Sequence, residues 1–234
     1  VLALQFLTRM PLPAVAATHD DFAAAIRWLP AAGLAVGVTV AAATWLGGCI
    51  GPELGALFGV AAWVGITGAL HLDGLGDIAD AAGAAHSNRE RLSAVLADPH
   101  IGSFGVTAIV LQVLAKLVLL HLLPAREPAW LAALVVIPAV ARLGPLVWAL
   151  TLPPLHEGLG SRFGKGAAWW QVAVWAAAFA LALPVLPGLA VALAAFPLWG
   201  LWLRTRIGGL SGDGHGAGIE LVESALLCAL VVAG

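Results

Sequence analysis

A chain of 234 residues that is 61% hydrophobic and 10% charged, with a mean hydropathy of +0.98, is too apolar for a soluble domain and reads as a polytopic membrane protein. A net charge of −2, with 11 Lys and Arg scattered along the chain, excludes a phosphate-backbone binder, so no nucleic-acid partner is expected. Cys49 and Cys228 each lie in an apolar run and offer neither metal-ligand spacing nor a disulfide framework.

In chain order, Arg9 is followed by MPLP and a polar patch where a signal peptide would carry its apolar core, so the first residues are read as part of the mature chain. Apolar segments follow at 30–50, 54–70, 105–123, 130–150, 167–186, 188–203 and 219–232. Crossing the hydrocarbon core takes ~20 residues. The expected fold is therefore an all-α helical bundle of about seven transmembrane segments, with six as the alternative, forming one integral membrane domain over 1–234. Pro184 and Pro187 mark a tight hairpin or a kink within a longer broken element. Small residues run through every segment and let helices approach closely, while most of the 10 Trp sit near segment ends, as interfacial anchors do.

Lys and Arg are retained on the cytoplasmic side of short loops. With seven spans and the N-terminus inside, Arg9, Arg27, Arg89, Arg91, Arg162, Lys165, Arg204 and Arg206 fall on that side and only Arg126 on the other. The same topology gathers the 71–104, 151–166 and 204–218 loops on the cytoplasmic face, where most of the polar chemistry lies.

The first of these loops carries HLDGLGDIAD. Asp73, Asp77 and Asp80 stand at i, i+4 and i+7, one face of a helix, where mutual repulsion is costly unless a cation neutralises it. Hard oxygen donors so spaced suit Mg²⁺ or Mn²⁺, which borrows remaining ligands from substrate phosphates and water. Asp98 follows in ADPHIGSFG. His71 reads first as an interfacial side chain, with a metal ligand and a proton carrier as the alternatives. The last loop, GGLSGDGHGAGIELVES, leads glycines including Gly209 and Gly212, with Asp213, into the final apolar segment; backbone amides and a helix N-terminus there suit an anion. Glu220 and Glu223 lie at i and i+3 in that segment. They either mark function or pair with Lys116 and Arg142, the cations inside other apolar segments. The middle loop, LPPLHEGLGSRFGK, offers Arg162 and Lys165 as phosphoryl clamps, although topology alone also explains them.

LALQFLTRMPLP, HLDGLGDIAD, ADPHIGSFG, EGLG with the later Lys165, and GGLSGDGHGAGIELVE, in this order and spacing, resemble the cobalamin synthase family, adenosylcobinamide-GDP ribazoletransferase, nearly from end to end. The resemblance implies a bacterial inner-membrane enzyme, active on the cytoplasmic side. It would join adenosylcobinamide-GDP to α-ribazole or its 5′-phosphate with Mg²⁺, releasing GMP and forming adenosylcobalamin or its 5′-phosphate. A second copy of the chain or other corrinoid enzymes stand as candidate partners. Two positions depart from the family pattern. Ala81 stands where Gly commonly follows the third Asp, and His100 where Arg commonly follows the later Asp, so a phosphate contact there would fall to His100.

Under this reading Asp73, Asp77 and Asp80 hold the metal, and Asp98, His71 or a carboxylate of the last helix takes the nucleophile's proton, the three unranked. Substrate contacts fall to Asp213, Gly209, Gly212, Glu220, Glu223, Arg162, Lys165, Lys116, Arg142 and His100. A cation transporter would place its acids near the midplane with repeat symmetry, which the sequence lacks. A phospholipid-type alcohol phosphotransferase would put Ala-Arg shortly after an Asp-Gly and a later pair of Asp three residues apart, which HLDGLGDIAD does not reproduce.

Overall fold

The computed structural model describes residues 1–84, 92, 95–96, 98–123, 127–155 and 164–233. Its described residues form a helical bundle whose one β feature is an isolated bridge between Pro154 and Leu210. Five helices are long and apolar enough to cross a membrane: His19–Gly48, Ser103–Leu122, Pro128–Thr151, Pro187–Ile207 and Gly212–Ala233. A sixth is counted if Pro52–Thr67 and Leu70–Gly83, bent by 85°, form one broken span.

The expected count of about seven, with six as the alternative, stands as approximate: in the 167–186 segment regular helix covers only Trp169–Ala180. Its 12 residues rise about 18 Å, short of the ~30 Å core. Apolar content alone predicted a span, but turns at 181–185 ahead of Pro187 end the helix early. The chain still passes from one end of the bundle to the other here, because Gly166 abuts Ala23 near the start of the first span, whereas Gly188 abuts Leu230 near the end of the last.

The bend at 68–69 has a local cause. Gly68 and Ala69 both take φ of 60°, the left-handed region, which ends one helix and redirects the next. Ala69 bears a Cβ there, at a cost of about 1 kcal/mol or more. The carboxylate-bearing helix Leu70–Ala84 consequently packs between Ser103–Leu122 and Gly212–Ala233.

Close helix approach follows from missing side chains. A Cβ on Gly33 or Gly37 would run into the backbone of Val135, Pro138 or Ala139, and one on Gly47 into that of Leu54. One large apolar cluster joins the spans, and a second, with Leu7, Ile26, Leu29 and Leu146, seats the N-terminal helix Leu2–Leu7.

The loops expected to share a face do meet. Leu155 N donates to Leu210 O and Leu210 N to Pro153 O, each at 2.9 Å, and Gly74 lies against the Asp213 backbone. Arg27, Lys165, Arg204 and Arg206 belong to this loop end.

Candidate active site

At that end a cavity of about 210 Å³ opens between the N-terminal helix, the carboxylate helix and the start of the last span. Its polar lining is His71, Asp73, Asp213 and His215; its apolar wall includes Phe6, Leu7, Leu29, Leu70, Pro145 and Ile219. Two motifs separated by more than a hundred residues thus share one chamber. Asp73 and Gly212 are exposed and Asp213 is half-buried, so they mark the mouth, while His71 and His215 lie 2% and 5% exposed at depth. Gly74 and Gly216 permit the approach of the two helices: a Cβ on Gly74 would stand 2.9 Å from the Asp213 backbone, and one on Gly216 3.3 Å from His71 Cα. A larger groove of about 480 Å³, lined by Leu75, Ile78, Trp199, Trp202 and Val222 among others, has apolar walls and none of the candidate residues.

Asp77, half-buried one helical turn beyond Asp73, lies within electrostatic reach of Asp213, Asp73 and Asp80. The charge concentration expected from spacing is therefore present, with Asp213 added to it. Asp80 has a second task that spacing did not suggest. Its Oδ2 accepts from Gly102 N at 2.7 Å and its Oδ1 from Gly105 N at 2.9 Å, so it caps the start of Ser103–Leu122. Among the described residues no three His, Cys, Asp or Glu side chains converge as a ready metal shell. The donor set of Asp73, Asp77 and Asp213 still suits a hard cation that takes one or two carboxylates and completes its shell from phosphate and water.

Glu220, Glu223, Lys116 and Arg142 are brought together, but into one another. Lys116 Nζ stands 2.7 Å from Glu220 Oε2 and 2.6 Å from Glu223 Oε2, and Arg142 Nη1 2.8 Å from Glu223 Oε1, all at most 4% exposed. Gln112 Nε2 donates to Glu220 Oε2 at 2.9 Å, and Lys116 lies over the Trp63 ring at 4.2 Å. Two cations against two carboxylates leave the cluster neutral, as burial among spans demands. The pairing alternative describes this geometry, and none of the four lines the cavity. Arg142 occupies the break between Pro128–Ala141 and Gly144–Thr151, where Nη1 also donates to Pro138 O at 2.9 Å.

Arg142 also reaches the cavity through His71: its Nη2 is 3.3 Å from His71 Nδ1. A guanidinium can only donate, so Nδ1 accepts and the ring proton sits on Nε2. Nε2 is buried and has no hydrogen-bond partner.

Other candidates lie elsewhere. Asp98 and His100 are exposed and engage each other, with Nδ1 to Oδ1 at 2.7 Å and His100 N to the same oxygen at 3.0 Å; the histidine holds the Asp98 carboxyl below its usual range. Gly209 serves close approach to the 153–155 loop, since a Cβ would stand 2.9 Å from Pro153 O. Lys165 is exposed and outside the cavity lining, and Arg162 lies outside the described residues. Ala81, the departure after the third Asp, is fully buried, so its methyl is absorbed by packing. Sequence reading passed over His215, although it stands within GDGHG, and over Phe6 and Leu7, whose signal was their place in the N-terminal motif. Ser211, whose Oγ accepts from Gly214 N at 3.0 Å to cap the last helix, was equally unread.

Comparison with known proteins gives a consistent answer. No solved structure matches the chain. A relative from Novosphingobium aromaticivorans, called adenosylcobinamide-GDP ribazoletransferase, is 54% identical over 100% of this chain and 96% of its own length. Proteins of the same description from Thiobacillus denitrificans and Laribacter hongkongensis are 51% and 49% identical, covering 97% and 100% of this chain and 92% and 96% of their own. The family model described as Cobalamin-5-phosphate synthase matches residues 1–231, and the chain belongs to that family.

Proposed function

We propose that this chain transfers the adenosylcobinamide-phosphate moiety of adenosylcobinamide-GDP to α-ribazole or α-ribazole 5′-phosphate, releasing GMP. Adenosylcobalamin or its 5′-phosphate is the product, a late step of vitamin B12 synthesis. The observation that carries the reading is the meeting of Asp73, Asp213 and the glycine-rich start of the last helix at one cavity, in a chain of this family. The setting is the bacterial inner membrane with the loop end cytoplasmic, supported by Arg27, Lys165, Arg204 and Arg206 at that end.

In the reaction a ribose hydroxyl oxygen forms a bond to the cobinamide-side phosphorus, the bond from that phosphorus to the bridging oxygen breaks, and GMP departs with that oxygen. Asp73 and Asp77 would hold Mg²⁺, which when bound neutralises the pyrophosphate and the charge that develops on departing GMP. Asp213 at the mouth accepts the hydroxyl proton. Of the alternatives named from the sequence, Asp98 is engaged with His100 outside the cavity, His71 Nδ1 is occupied by Arg142, and Glu220 and Glu223 are held by Lys116 and Arg142.

The test is turnover by purified protein in lipid nanodiscs, with both substrates, with and without Mg²⁺, following GMP and corrinoid product together. Mg²⁺-dependent release of GMP matched by cobalamin product is expected. Folded, lipid-supplied protein that releases none would overturn the assignment.

A further inference from the structure

The carboxylate helix Leu70–Ala84 has two faces. By helical period Asp73, Asp77 and Asp80 stand on one side, and Leu75, Ile78, Ala79 and Ala82 on the opposite one. The apolar side forms one wall of the groove of about 480 Å³, whose other walls come from Ala192–Trp202 and the last span. Trp199 and Trp202 stack there, with ring centroids 4.9 Å apart and planes 11° from parallel, and Trp199 Nε1 is already satisfied by Gly214 O at 2.9 Å. Leu198 and Leu221, also in its walls, are 64% and 40% exposed, so the groove opens outward between two spans, where a bilayer supplies hydrocarbon. Charge at its loop end selects among lipids. Ala195, Leu198 and Trp202 follow one another at helical spacing along the groove, and one turn further on the same face is Arg206, carried by the wider turn Leu203–Ile207 in which Gly208 N donates to Leu203 O at 2.8 Å. Arg204 and Arg206 are both exposed, and neither enters an ion pair among the described residues.

We propose that this groove binds an anionic phospholipid, with an acyl chain between the apolar face of the carboxylate helix and the Trp199–Trp202 stack, and the headgroup phosphate at Arg206 with Arg204 beside it. Apolar walls hold the chain, and the arginines prefer a headgroup of net negative charge to a zwitterionic one, whose own cation opposes them. Asp73, Asp77 and Asp80 belong to the other side of the helix, which separates them from the headgroup. A structural lipid thus lies beneath the helix that carries the candidate metal ligands. The inference stands apart from the reaction proposed above, since it concerns a different surface and is read by binding alone.

The test follows tryptophan fluorescence of the intact protein, one chain per nanodisc, in phosphatidylcholine doped with rising proportions of phosphatidylglycerol brominated on its acyl chains. Brominated phosphatidylcholine in the same background is the reference. Bromine quenches an indole it touches, and subtracting the Trp202→Phe signal isolates emission from the groove. Saturable quenching is expected, at a lipid fraction lower for phosphatidylglycerol by roughly fivefold for each arginine. Arg206→Gln should weaken the preference about fivefold, and Arg204→Gln with Arg206→Gln should abolish it. Arg27→Gln, at the same end of the bundle on another helix, should leave it unchanged. Ala195→Phe, which fills the groove, should leave only quenching proportional to lipid fraction. Equal quenching of the wild type by the two lipids overturns the proposal without any variant having to fold. So does a preference that survives loss of both arginines or falls equally with Arg27→Gln, or saturation that survives Ala195→Phe. Relief of quenching by adenosylcobinamide-GDP would assign the groove to a substrate, and its loss in nanodiscs holding two chains would assign it to a second copy; either result overturns the lipid assignment.

Discussion

Removing Arg142 tests the idea that the buried charges stand as a neutral set. The wild-type cluster holds Lys116 and Arg142 against Glu220 and Glu223, with the Arg142 to Glu223 contact at 2.8 Å and both side chains 0% exposed. Arg142→Met leaves one cation for two carboxylates, a net charge of −1 among spans, and strips one oxygen of Glu223 of its donor. Breaking such a pair by deleting one partner costs about 3–5 kcal/mol. Glu223→Met leaves a net charge of +1 and should cost a similar amount. The double variant returns the cluster to the Lys116 and Glu220 pair at 2.7 Å, neutral again, so its loss should be well below the sum of the singles and comparable to either one or smaller. Reversible unfolding in mixed detergent micelles, monitored for all four proteins, gives the coupling. Additive losses would refute the reasoning, because they would mean that the two side chains do not answer each other's charge.

Asp73→Asn, Asp77→Asn and Asp213→Asn should each lower GMP release by roughly 10²-fold or more, with unfolding midpoints at or above wild type because mutual repulsion is relieved; near-normal turnover of any one removes it from the chemistry. Asp80→Ala should cost about 0.5–2 kcal/mol by freeing the amides of Gly102 and Gly105, seen as faster hydrogen exchange there, whereas unchanged exchange would deny it the capping role. His100 lowers the Asp98 carboxyl in the folded protein, so the resulting stability is present above the unfolded value near ~3.9 and is lost as pH falls through the folded one. A carboxyl ¹³C titration should therefore show Asp98 below its ordinary range and His100→Ala moving it up; no movement would remove His100 as the cause.

What was legible in the sequence was whatever repeats within one segment. Apolar runs gave most spans, and i, i+4, i+7 spacing placed Asp73, Asp77 and Asp80 on one helix, because helical period acts over a few residues. The bend at Gly68 and Ala69 was hidden inside what read as one span and the start of a loop, since alanine seldom takes the left-handed region and gives no sequence mark of it. The 167–186 segment was overread for the complementary reason: hydropathy measures solvent preference, and Trp169–Ala180 with the turns after it is apolar without being one helix. Pairing of Lys116 and Arg142 with the last-helix glutamates was foreseeable from charge balance in lipid. Its partners were not, since which carboxylate meets which cation depends on helix rotation. His215, Phe6 and Leu7 stood inside motifs that were read, but which motif residues turn toward a cavity is set by tertiary packing, and Leu29 had no local signal at all.

Arg142 ties the two halves of this structure together, and that makes their roles separable. Lys116 and Glu220 meet each other, Glu223, Trp63 and Gln112, whereas Arg142 touches both Glu223 and the His71 ring that lines the cavity. A guanidinium keeps its protons throughout the working pH range, so the ring proton of His71 remains on Nε2. Paired removal of charge by Lys116→Met with Glu220→Gln should thus lower stability while the His71 ring keeps that tautomer. Arg142→Met with Glu223→Met, also neutral, frees Nδ1 and should let the ring exchange between its two tautomers. Imidazole ¹⁵N shifts of the two double variants decide it. Equal shifts would sever the cluster from the His71 ring and leave Arg142 as one more partner in a buried neutral set.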